Sequence, residues 1–137
     1  MMVKADAQMF ARLAEAAPGA VSESMSSYIR NGRRWPRQSI EAMARARGME
    51  PVDLLAWAVE AKCTWQGRGL RQFLAGLAEY ALGLESHGLA YATPYQWRSY
   101  SNIPRYSSLL KLARSAGHSG VAELIKAVLE GPEPQPR

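Results

Sequence analysis

The chain has 137 residues and a formal net charge of +5, and 47% of its residues are hydrophobic. This length predicts one compact domain or two very small ones, and the apolar content argues against a disordered chain. No stretch reaches about 18 consecutive apolar residues, so we expect no transmembrane helix and no membrane partner. The N-terminal residues lack the apolar run of a secretory signal. The single cysteine, Cys63, fits a reducing compartment and a cytoplasmic location.

Glycine and proline divide the chain into segments with helical apolar spacing, and no run alternates apolar and polar residues as a strand does. The sequence therefore predicts an all-α protein of about eight helices. We expect them at residues 5–17, 22–31 and 36–47, in a segment opened by Glu50-Pro51, from residue 70 to a break at Gly88, and at 93–101, 105–116 and 120–130.

Apolar residues at spacings of three and four predict the buried side of each helix. The first helix carries a stripe of Phe10, Leu13, Ala14 and Ala17. The fourth carries Val52, Leu55, Ala56 and Val59, and the fifth carries Leu70, Phe73, Leu74, Leu77, Ala81 and Leu84.

The two halves of the chain share a pattern. The motif Ala44-Arg45…Gly48…Val52…Leu55 matches Ala113-Arg114…Gly117…Val121…Leu124 at a constant offset of 69 residues. We interpret this as a divergent tandem repeat of one four-helix unit, although short alanine-rich helices also resemble one another by chance. The predicted organisation is a unit at 1–64, a second unit at 70–130 and a disordered proline-rich tail at 131–137.

The positive charge is concentrated in one segment. Residues 28–47 contain six arginines and a single acid, Glu41, whereas bases and acids balance in the rest of the chain. Such a patch suits a phosphate-tracking surface, and the alternative is a solvated helical face.

Residues 21–36 read VSESMSSYIRNGRRWP. This segment resembles the recognition helix and following turn of helix-turn-helix domains in the Cro/repressor (XRE) family, and the resemblance covers about residues 13–60. The residues that fall in the family's register are Val21, Ser22, Ser24, Ser27, Ile29, Asn31, Gly32 and Pro36. Residues 77–128 are interpreted as a divergent second helix-turn-helix unit. The resemblance implies a sequence-specific transcriptional regulator, a repressor of phage, plasmid or bacterial origin, that reads double-stranded DNA with helix 22–31.

The residues of that helix favour the same interpretation. Val21, Met25 and Ile29 lie on one side, so the opposite face is slim, polar and able to enter a major groove about 12 Å wide. The candidate DNA-binding residues are Ser22, Glu23, Ser26, Ser27, Arg30, Asn31, Arg33, Arg34 and Arg37, with Tyr95, Arg98 and Arg105 in the second unit. The alternatives are that these arginines only solvate the surface and that the aromatic residues around Tyr95 fill the core, stack on single-stranded bases or dock a protein.

Enzyme chemistry finds little support. The chain contains no glycine-rich phosphate loop and no nucleophile–histidine–acid pattern, so we expect no enzyme and no catalytic residue. His87 and His118 have no further ligand at metal-binding spacing, so we expect no metal and no cofactor.

Besides double-stranded DNA, the expected partners are a second copy of the chain, in a homodimer, or a host protein. The alternative function is a helix-turn-helix scaffold that binds and inhibits a host protein or nucleoprotein complex, as anti-CRISPR proteins do. RNA binding through the tyrosine-rich segment is a third hypothesis.

Overall fold

The computed structural model describes residues 4–16, 22, 24, 37–61, 69–100 and 103–131. These residues form seven helices and no strand, which confirms the all-α prediction. The helices are α1 (Lys4–Ala16), α2 (Arg37–Arg47), α3 (Pro51–Ala58), α4 (Leu70–Leu82), α5 (Thr93–Arg98), α6 (Tyr106–Ser115) and α7 (Val121–Glu130). The remaining predicted helix, 22–31, lies outside the described residues apart from Ser22 and Ser24, as does most of the predicted tail.

The helices bury their apolar stripes in one continuous hydrophobic cluster that contains residues of both halves. Leu13 of α1, Leu77 of α4 and Leu124 of α7 are fully buried in it. Helix α1 also packs against α6, and α3 packs against α4. The units predicted at 1–64 and 70–130 therefore share this core, and their division into separate units stays a prediction.

Among the described residues of the predicted apolar stripes, all are buried except Ala14, Val59 and Leu84, which are half-buried. The side chain of Phe10 and the residue Ala17 lie outside the described part of the chain.

The helix predicted at 93–101 ends at Arg98. Helix α4 ends at Leu82, so the predicted break at Gly88 was wrong. The N–H groups of Gly83 and Leu84 donate to the carbonyls of Glu79 and Ala81, which closes the last turn. Leu84 consequently lies beyond the helix, half-buried against the core. In the same way Val59 follows the end of α3 and is only half-buried.

The repeat pattern has a structural counterpart at the ends of α2 and α6. Each helix is followed by a glycine with a left-handed backbone, Gly48 with φ of +71° and Gly117 with φ of +84°. The N–H of the next residue donates to the carbonyl of an alanine in the last turn, Ala44 at 2.9 Å in the first half and Ala113 at 2.8 Å in the second. This pair of hydrogen-bonded turns is the Schellman arrangement, which satisfies carbonyls at a helix end.

The offset of 69 also relates buried positions in the helix pairs α2–α3 and α6–α7. The paired residues are Ile40 with Leu109, Met43 with Leu112, Val52 with Val121, and Leu55 with Leu124, and all of them are buried. These matches favour the internal repeat. The interpretation of each half as a helix-turn-helix unit stays a prediction.

Along the described part of the chain, every helix is too short or too polar to cross a membrane.

Replacing Gly48 by alanine should lower the free energy of unfolding by about 1–2 kcal/mol, because an L-residue with a Cβ is strained in the left-handed region. A Cβ at this position would meet no atom within 4 Å, so the loss measures the backbone conformation alone. Gly117→Ala should lose a similar amount, measured by denaturant unfolding. Gly48→Asn is the matched control and should lose less, because asparagine tolerates this conformation. A stabilised Gly48→Ala variant would contradict the assignment.

Candidate nucleic-acid interface

The predicted site residues fall into two groups. Glu23, Ser26, Ser27, Arg30, Asn31, Arg33 and Arg34 lie outside the described residues, whereas Ser22 is described and exposed. Arg37 is the exposed first residue of α2, and Arg105 is exposed just before α6. On α5, Tyr95 is exposed and Arg98 is half-buried.

Arg37 joins the basic segment of the first half to the second half of the chain. Its Nη1 donates a hydrogen bond to the carbonyl oxygen of Tyr100. Its guanidinium carbon also lies 4.7 Å from the centroid of the Tyr100 ring, within the range of a cation–π interaction. Arg37 therefore contacts a residue of the stretch that separates Arg98 from Arg105 in the sequence.

Tyr100 is held at both ends by α2. Its hydroxyl donates to the Oε1 atom of Glu41, one helical turn along from Arg37. Its backbone has a φ of +61°, an uncommon conformation for a residue with a side chain, which the surrounding contacts must maintain. Arg71, near the start of α4, places its guanidinium carbon 5.9 Å from the same ring.

Burial, the hydrogen bond to Glu41 and the negative charge of that carboxylate together raise the pKa of Tyr100 to about 12, with burial the largest cause. The positive charges of Arg37 and Arg71 act in the opposite direction. Tyr100 therefore stays neutral at physiological pH, and it serves as a flat surface and a hydrogen-bond donor.

Two exposed arginines from different helices thus converge on one tyrosine. A guanidinium carries five N–H donors, and the bond from Arg37 to Tyr100 uses one of them. The remaining donors can bind an oxyanion, and stacking on the ring restricts the guanidinium before an anion arrives. Sequence reasoning missed Arg71, because nothing in a linear pattern indicates that the start of α4 approaches the Tyr100 ring.

The other arginines of the basic segment occupy a different place. Arg45 and Arg47 lie in the last turn of α2, where cations interact favourably with the helix dipole. Arg37 and Arg47 are separated by the length of the helix, about 15 Å. Arg47 also stacks on Trp57, with 4.6 Å between the guanidinium carbon and the ring centroid. The segment 28–47 therefore does not present all of its charge on one surface.

An exposed aromatic row lies on and beside α5. Tyr91 and Tyr95 are 80% and 40% exposed, and their ring centroids lie 5.4 Å apart at an angle of 43°. The guanidinium carbon of Arg98 lies 5.4 Å from the Tyr95 ring. The pKa of Tyr91 is raised, mainly by a hydrogen bond with Tyr95. The negative charge of an ionised Tyr95 raises it to a smaller extent. Sequence reasoning missed Tyr91, although its spacing of four residues from Tyr95 was the available signal.

The Arg12 side chain is bound by other residues of the protein. It donates to the carbonyl oxygen of Trp57 at 3.1 Å and forms an ion pair with Glu60. Arg12 and Glu60 border a cleft of about 620 Å³ between α1, the end of α3 and the start of α6. Its rim includes two carboxylates, those of Glu15 and Glu60, so this cleft is a poor surface for a phosphate.

The two histidines have separate partners. The Nε2 atom of His118 lies 2.6 Å from the Tyr80 hydroxyl, and the Nδ1 atom of His87 accepts a hydrogen bond from the N–H of Leu89 at 3.0 Å. Among the described residues, no group of three histidine, cysteine, aspartate or glutamate side chains is placed to hold a metal ion.

The chain matches no protein-family model, no curated protein and no solved structure. Its function therefore has to follow from its own residues.

Tyr100 should ionise near pH 12, whereas an ordinary tyrosine ionises near 10.0. The phenolate absorbance of the wild-type protein minus that of Tyr100→Phe measures this directly. Because the folded-state pKa is raised, the associated stability is complete below pH 10, and it decreases as the pH rises from about 10 to about 12. In Glu41→Gln the pKa should fall but stay above its ordinary value, because burial is unchanged. A Tyr100 that ionises at the ordinary pH would contradict the Glu41 contact.

Proposed function

We propose that the chain is a sequence-specific, double-stranded DNA-binding transcriptional regulator that reads the major groove with residues 22–31. The observation that carries the proposal is the convergence of Arg37 and Arg71 on Tyr100, with Arg37 in the middle of the arginine-rich segment 28–47. The resemblance of residues 13–60 to the Cro/repressor helix-turn-helix family supports it as well.

The charge arrangement supports two separate roles, in which some residues contact phosphates and provide affinity and others contact bases and provide sequence preference. Arginine contacts with phosphates supply affinity and orient a protein on the duplex without reading sequence. Arg33 and Arg34 follow the predicted helix directly in the sequence, and Arg37 and Arg71 are proposed as further phosphate contacts. Ser27 and Arg30, on the polar face of the predicted helix, are proposed to contact base edges.

The decisive experiment is a selection of randomised duplex DNA on the purified protein at about 150 mM salt, where the Debye length is near 8 Å and loose electrostatic binding is suppressed. An enriched motif is expected, and its symmetry will show whether one chain or a homodimer reads it. A folded protein that enriches no motif would refute the proposal and favour the alternative of an inhibitor that binds a host protein.

The double variant Arg37→Ala/Arg71→Ala should weaken binding to all duplexes and reduce the slope of log K against log salt by up to about two units, because each lost phosphate contact contributes about 0.9. Arg33→Ala/Arg34→Ala should reduce the slope similarly. Arg45→Ala is the matched control, because it removes an exposed charge from the far end of α2 and should change the slope less. A slope that both double variants leave unchanged would exclude these arginines as phosphate contacts.

Replacement of Ser27 or Arg30 by alanine should change sequence preference more than non-specific affinity, because a lost base contact costs about 1–3 kcal/mol only on the preferred sequence. The selected duplex and a scrambled duplex of equal length are compared by titration. Equal losses on both duplexes would show that residues 22–31 do not read bases.

A further inference from the structure

We propose that Tyr91, Tyr95 and Arg98 form a stacking platform for an unpaired nucleobase, distinct from the Arg37–Tyr100 region assigned to duplex DNA. The three side chains form a row in which Arg98 lies over the Tyr95 ring and Tyr95 neighbours Tyr91. Tyr91 is the open end of this row, because 80% of it is exposed.

The platform is anchored from the opposite side of α5. Pro94 and Trp97 are buried, and only 2% of Trp97 is exposed, so the short helix is fixed to the core. Tyr95 is consequently held on the outer side, and the half-buried Arg98 lies beside it. A rigid aromatic surface loses little conformational entropy when a base stacks on it.

The charge of the stretch of sequence that contains the row favours nucleic acid. Residues 86–122 contain no aspartate or glutamate and carry four bases, Arg98, Arg105, Lys111 and Arg114. The last three are exposed. A phosphate backbone can therefore approach the row without meeting a carboxylate from this stretch, and aromatic rings combined with such positive charge are typical of single-strand-binding surfaces.

The immediate surroundings of Tyr91 favour a base over a protein partner. Its neighbours Ala90 and Ala92 are small and exposed, so the ring projects from the surface. Protein contacts of high affinity instead enclose their aromatic residue in a ring of side chains that excludes water. A flat base needs only an open ring face, and stacking tolerates any base sequence.

The test compares labelled strands by fluorescence anisotropy. The probes are oligothymidine of about ten nucleotides and an abasic strand with the same number of phosphates, and oligouridine distinguishes RNA from DNA as the source of the base. Wild-type protein should bind oligothymidine or oligouridine more tightly than the abasic strand, roughly 5- to 150-fold for each stacked base.

Tyr91→Leu and Tyr95→Leu should reduce or abolish this preference, because leucine keeps an apolar side chain and removes the aromatic face. Tyr91→Phe is the matched control and should retain the preference, because it keeps the ring. The exposure of Tyr91 makes its replacement compatible with folding, which thermal unfolding checks.

Three results would overturn the platform: no binding to any strand, equal binding to the base-containing and abasic strands, or a preference that both leucine variants keep. The first would assign the exposed rings to a protein contact. Duplex selection on the same variants separates the two proposals, since Tyr91→Leu should still enrich the wild-type motif.

Discussion

The fold depends on burying short apolar stripes in one shared core. None of the seven described helices is longer than 13 residues, and isolated helices of this length are marginal in water. Their stability must come from packing, which the fully buried Leu13, Leu77 and Leu124 provide from three different helices. Because the cluster includes residues of both halves, each half contributes to the environment that stabilises the other.

The packing of this core also determines which polar side chains reach the surface and which of them contact one another. The buried Trp97 fixes α5, and the chain that follows α5 carries the Tyr100 ring to α2. Arg37 and Glu41 then contact Tyr100 from one helix, and Arg71 approaches it from another. The candidate interface is thus a product of how α2, α4 and the end of α5 meet.

The arginines of this chain illustrate why charge position matters more than charge number. Arg12 is paired with Glu60, whereas Arg47, in the last turn of α2, is exposed and stacks on Trp57 of α3, at the opposite end of α2 from Arg37. Arg37 is exposed and restricted by Tyr100, which is the state in which a guanidinium loses least entropy on binding an oxyanion. The positions of the arginines in the sequence do not show which of them are paired within the protein and which can bind an anion.

Local sequence patterns predict the helical class, most helix boundaries and the buried stripes of α3 and α4, because helix periodicity and glycine turns are local properties. The α2 segment predicted at 36–47 is observed at Arg37–Arg47, and the turns at Gly48 and Gly117 follow from the same motif. The sequence does not show that Arg37 meets Tyr100, a residue 63 positions away, or that Tyr91 faces solvent, because both depend on tertiary packing. Periodicity shows which side of a helix turns inward, but the partner that it meets depends on the simultaneous packing of all the helices.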